Sequence, residues 1–96
     1  MKAPYQLLRA ARVALDISHE DLAREAGVSK RTLVRIEKPQ SVSEESIARV
    51  QAALEARRVK FLAASDEGGP GLRIPASAVA RPAVRRHEPV RKQGRS

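Results

Sequence analysis

The chain has no cysteine and no tryptophan, and its only aromatic residues are Tyr5 and Phe61. Without thiols, disulfide frameworks and thiolate zinc sites are excluded together, which fits a reducing compartment. With so few aromatics, a core has to come from Leu, Ile, Val and many alanines, which suits close-packed helices better than a β-sandwich. Long apolar runs are missing too. The longest, Phe61 to Ala64, falls far short of the ~20 residues that span a bilayer or the ~7 to 15 of a signal-peptide core. A cytoplasmic protein with no membrane partner is expected. No glycine loop suited to phosphate, no Ser/His/Asp set and no paired carboxylates in a recognisable setting are present, which argues against an enzyme and against a cofactor. Asp66-Glu67 reads as polar turn and Glu44-Glu45 as helix-start electrostatics. The two histidines, His19 and His87, lack ligand spacing, so no metal site is expected.

What is present is charge. Over 96 residues the formal net charge is +8, which points to a polyanionic partner. Its distribution is uneven: residues 1–75 carry 13 Lys/Arg against 10 Asp/Glu, and residues 76–96 carry 6 against 1. The first part is therefore only mildly basic, and a binding surface there requires local segregation of charge. A chain of this length closes a single small core, so one domain with appendages is expected.

Apolar spacing resolves the helices. In PYQLLRAARVALDI, Tyr5, Leu8, Ala11 and Leu15 form one stripe with Arg9 and Arg12 off its most apolar line. Ser18 with Asp21 three residues on is a variant capping box opening a second helix over about His19 to Ala26. Gly27 is the expected left-handed stop, and Ser29 caps a third helix over about Lys30 to Glu37. Pro39 cannot continue it. Ser-Glu-Glu-Ser opens a fourth helix with Ile47, Val50 and Leu54 on one face, ending near Arg58. The segment VKFLAASDEGGPGLRIP, residues 59–75, reads as a hairpin around Asp-Glu-Gly-Gly-Pro-Gly. Residues 76–96 have no period and read as a disordered basic tail. The expected architecture is thus an all-α four-helix unit over residues 1–58, a short C-terminal β-hairpin and a tail.

The third helix is the informative one. With Lys30 at zero on a helical wheel, Val34, Lys38, Arg31 and Arg35 fall within about 140°, whereas Ile36 and Leu33 fall near 240° and 300°. One face carries four cations and the other anchors a core. Charge on an outer helix face is more often simple solvation; the preceding segment changes the weighting. Two short capped helices joined through Gly27, with Ala23 small where helix 3 crosses, form the pattern of a helix-turn-helix.

Residues 6 to 56, through QLLRAARVALDISHEDLAREAGVSKRTLVRIE and a fourth helix, resemble the DNA-binding domain of the Cro/repressor (Xre-like) type. The resemblance implies that helix 3 enters the major groove. It places Lys30, Arg31 and Arg35 on base-reading positions, and Ser29 and Thr32 on positions that touch phosphate or nearby bases, with Lys38 beside them. His19 stands where the family usually has a phosphate-gripping glutamine; it is either such a ligand or a solvated helix-start residue. Val34 meets a thymine methyl or is incidentally exposed. Arg12 and Glu37 match a structural ion pair of the family. Lys38-Pro39 departs from the usual glycine after that glutamate, so the loop to helix 4 has its own shape, and the common fifth helix is not visible.

A two-stranded hairpin is marginal alone, so it packs on the helices or adds strands to a second copy. The second is favoured here, with Phe61, Leu62, Leu72 and Ile74 as its dimerisation residues, because the family binds inverted-repeat operators as twofold dimers. The expected function is a dimeric repressor reading double-stranded DNA. The alternatives are an antitoxin or anti-regulator that binds a protein partner through its C-terminal part, and an RNA-binding adaptor, which the sparse aromatics disfavour. The tail either adds phosphate attraction or is an inert extension.

Overall fold

The computed structural model describes residues 1–79. Four α-helices, α1 (Tyr5–Ala14), α2 (His19–Ala26), α3 (Lys30–Ile36) and α4 (Glu44–Ala56), precede an antiparallel hairpin of β1 (Lys60–Leu62) and β2 (Gly71–Arg73). The architecture is the mostly helical one with a short C-terminal hairpin that the spacing of apolar residues implies.

Serine starts three of the helices. The hydroxyls of Ser18, Ser29 and Ser43 accept from the amides of Asp21, Thr32 and Ser46 at 3.0, 3.0 and 3.1 Å, each satisfying a donor that the helix leaves unpaired. At α2 only this half of the capping box forms: the carboxylate of Asp21 turns to Arg24 instead, at 2.7 Å. Helix ends share a second device. The chain turns through the left-handed region at Asp16, Gly27 and Arg58, and the amides of Ile17, Val28 and Val59 reach back to the carbonyls of Arg12, Ala23 and Leu54, a Schellman closure. Only Gly27 accepts that conformation without steric cost. A Cβ there would meet nothing closer than an Arg49 side-chain nitrogen at 3.7 Å, so the φ of 74°, and not crowding, makes glycine the fitting residue.

The core joins Leu8 and Ala11 of α1, Leu22, Ala23 and Ala26 of α2, Leu33 and Ile36 of α3, and Val50 and Leu54 of α4. Two segments outside the helices complete it. Ala3 is buried, its amide donating to Gln51 Oε1 at 2.9 Å while Gln51 Nε2 donates to the Met1 carbonyl. The amide of Gln51 thus fastens the N-terminal strand of chain along α4. From the other end Val59 and Phe61 enter the same core, with Leu72 and Ile74 packed against it.

That packing seats the hairpin on the chain's own helices. Phe61 is buried against the helices, and Leu72 and Ile74 pack against the same core while staying partly exposed, which removes apolar area from water without a second copy. Leu62 is half-buried and stands outside this core set. Successive strand residues point to opposite faces, so Leu62 points away from the side Phe61 fills. At the start of the expected tail, Ala76–Ala78 form a 3-10 turn after Pro75. The remainder of the expected basic tail, residues 80–96, lies outside the described residues.

Candidate nucleic-acid interface

The third helix is held from beneath. Leu33 and Ile36 are 0% and 2% exposed, which orients every other side chain of the helix. Lys30, Arg31 and Arg35, together with Lys38 just beyond the helix, are exposed, and Val34 is half-buried among them. Lys30, Arg31, Val34, Arg35, Lys38 and Gln40 line one open concavity. A second cleft, of about 210 Å³, is lined by Arg9, Arg12, His19, Val34, Glu37 and Lys38. Val34 and Lys38 belong to both, so a single basic surface runs from α3 across to α1 and the start of α2. Among the described residues that line it, Glu37 is the only acid.

Four other carboxylates are paired with cations away from it. Asp21 pairs with Arg24, Glu25 with Arg57, Glu44 with Lys2 and Glu45 with Arg49. Hydrogen bonds from Arg24, Arg57 and Lys2 hold the carboxyls of Asp21, Glu25 and Glu44 below their ordinary pKa values. Among the described residues none of Lys30, Arg31, Arg35 and Lys38 takes part in a salt bridge. Segregation, and not excess of charge, therefore makes the surface basic, and a potential of one sign over a concave face attracts a polyanion.

Arg12 and Glu37 meet at the inner wall of the cleft. Arg12 Nε donates to Glu37 Oε2 at 2.8 Å, Nη2 to Oε1 at 3.2 Å, and Nη1 to the Ile17 carbonyl at 3.0 Å. The side chains are 14% and 5% exposed. A two-pronged guanidinium contact to the carboxylate of Glu37, the residue that ends α3, ties this helix to α1. His19 joins them, its Nε2 lying 3.0 Å from Glu37 Oε1. The sequence gives no sign of that third partner, since it depends on how α2 crosses the end of α3.

Ser29 and Thr32 sit at the N-terminus of α3, hydroxyl to hydroxyl at 2.9 Å, with Ser29 also capping the helix. Both keep acceptor capacity beyond these bonds. Sequence reasoning passed over Arg9 and Gln40. Arg9 is recognisable only as a cation off the apolar stripe of α1, and Gln40 follows a proline in a stretch without periodicity. Among the described residues there is no cluster of three or more metal-ligating side chains, and no helix is long and apolar enough to cross a membrane.

The sequence profile of the helix-turn-helix family matches residues 8–58 of the chain. No curated protein and no solved structure matches it.

Proposed function

Since the chain belongs to the Cro/repressor-type (Xre-like) helix-turn-helix family, a family of DNA-binding regulators, we propose that it is a sequence-specific transcriptional repressor that reads the major groove with α3. The observation that carries this reading is the row of exposed cations, without carboxylate partners among the described residues, opposite the buried Leu33 and Ile36. Lys30, Arg31 and Arg35 are the base readers. Arginine and lysine both suit the O6/N7 acceptor pair of guanine, so guanines are expected in each half-site. Ser29, Thr32, Lys38 and His19 hold phosphates, and Arg9, beside His19 and Lys38 in the second cleft, joins them. Such contacts fix orientation without specifying sequence.

The active species in this reading is a homodimer on an inverted repeat, with its two α3 helices entering the groove about 34 Å apart. With Phe61 in the core and Leu72 and Ile74 packed against it, the hairpin's outer edge and Leu62 offer the contact for the second copy. Selection of sites from random duplexes tests the proposal. An enriched inverted repeat is expected, with preference lost at one position in the Arg31→Ala protein; recovery of no motif would reject it.

A further inference from the structure

The second cleft contains a group whose hydrogen-bonding sense depends on its charge. Glu37 Oε1 lies 3.2 Å from Arg12 Nη2 and 3.0 Å from His19 Nε2. A carboxylate bridged by a guanidinium accepts hydrogen bonds and donates none. The proton of a neutral His19 ring therefore resides on Nε2. Its Nδ1 then bears a lone pair, which repels a phosphate oxygen; only the imidazolium offers a second N–H. The ring is 32% exposed and lines the cleft, so it meets whatever enters.

The charged groups around the ring set the balance. From α1 come Arg9 and Arg12; from the end of α3 and the residue after it come Glu37 and Lys38. Arg12 and Glu37 neutralise one another, which leaves Arg9 and Lys38 attracting an anion from two sides. We propose that His19 takes up a proton when a DNA phosphate enters this cleft, so that the protein grips DNA more tightly as pH falls. The inference rests on the DNA-binding reading above and adds to it a linkage between affinity and acidity. Glutamine at this position would donate to Glu37 and phosphate at any pH, having two amide hydrogens and no titration; histidine does both only when charged.

Imidazoles change charge between about pH 5 and 8, and uptake of one proton limits the change in affinity to about tenfold per pH unit. The test is fluorescence anisotropy of a labelled random-sequence duplex at constant ionic strength, titrated with full-length protein between about pH 6 and 8. Wild type is expected to weaken at least threefold across that range and His19→Gln to stay flat. His87→Gln, which removes the other histidine, should keep the wild-type slope. Equal slopes in wild type and His19→Gln, or no slope in either, would overturn the linkage while leaving DNA binding intact. Absence of binding at every pH would reject the DNA reading itself, and the linkage with it. A readout without DNA is the nitrogen-15 spectrum of the His19 ring in the free protein: the Nε2–H tautomer is expected for the neutral ring, and the Nδ1–H tautomer would refute the argument.

Discussion

Arg12 grips both carboxylate oxygens of Glu37, 25 residues further along the chain, and binds the Ile17 carbonyl with its remaining nitrogen. One side chain therefore fixes the start of the bend after α1 and the end of α3 together. Removing the acid leaves a guanidinium at 14% exposure without its counter-charge. Glu37→Ala is expected to destabilise the fold by about 3 kcal/mol, the lower end for a buried pair because water still reaches Arg12. Glu37→Gln should cost less, since the amide oxygen still accepts one bond. Urea denaturation of the three proteins measures both. A loss below about 0.5 kcal/mol for the alanine variant would place the pair among ordinary surface bridges.

The exposed cations of α3 are expected to divide by role. Alanine at a base-reading position costs about 1 to 3 kcal/mol on the preferred site and relaxes preference at one base. Arg31→Ala and Arg35→Ala should behave this way. Lys38→Ala should weaken all duplexes alike and lower the salt dependence by about one counterion. Affinities for a selected site and for single-base variants, measured at several salt concentrations, separate the two classes. None of these substitutions should move the midpoint of thermal unfolding appreciably, because the side chains are exposed and without a carboxylate partner among the described residues.

Much of this arrangement is local and therefore legible in the sequence. Ser18, Ser29 and Gly27 announce helix limits through residues adjacent to them, and Leu33 and Ile36 reveal the inner face of α3 by spacing alone. What escaped detection depends on contacts between distant segments. Ala3 is buried by Gln51, 48 positions away, and nothing about a glutamine on an amphipathic helix signals a clamp. Asp16 and Arg58 close helices in a conformation that side chains rarely adopt, so neither residue type marks the stop as glycine does. What the hairpin packs against is not legible for a related reason. Alternating apolar residues show that one face is covered, but the covering surface, here the chain's own helices, lies outside the segment.

Arg58 identifies a site for stabilisation. Its φ is 72°, and a Cβ in the left-handed region costs roughly 1 to 2 kcal/mol. Glycine removes that strain but gains freedom in the unfolded chain worth about 0.4 to 1 kcal/mol. Arg58→Gly is expected to stabilise the protein by up to about 1.6 kcal/mol, the difference between these effects. Gly27→Ala should do the reverse, by a similar amount. Thermal unfolding followed by circular dichroism compares them, and stabilisation by alanine at residue 27 would contradict the backbone reading.

Phe61 and Leu62 are neighbours with opposite obligations. Phe61 is buried against the helices, so Phe61→Ala should destabilise the monomer fold by about 3 to 4 kcal/mol. Leu62 lies outside the core set. If the hairpin edge joins two copies, Leu62→Lys should leave the unfolding of dilute protein nearly unchanged while shifting sedimentation toward monomer, because a charge at an edge opposes strand addition. A wild-type monomer at concentrations that saturate DNA would remove the hairpin from consideration as the dimer contact. Truncation at Arg58 cannot make this distinction, since it also deletes Val59 and Phe61 from the core.

The link between α2 and the end of α4 gives the fold an acid-sensitive contact. Arg57 Nε donates to Glu25 Oε1 at 2.7 Å, and Nη2 bonds the second oxygen. This hydrogen bonding holds the Glu25 carboxyl below its ordinary value of 4.5. A depressed carboxyl binds fewer protons folded than unfolded, so stability increases with pH through the interval between the two values. The contribution is complete above about pH 4.5 and disappears as pH falls through the depressed folded value. Both side chains are more than a third exposed, and solvent screening limits the effect to about 1 kcal/mol or less. Glu25→Gln should therefore lower stability slightly near neutrality, converge with wild type in strong acid, and flatten the acid limb between. Added salt should reduce the neutral-pH difference. Denaturant midpoints from about pH 2 to 7 at two ionic strengths measure all three effects; a difference that grew toward low pH would reverse the sign assigned to Glu25.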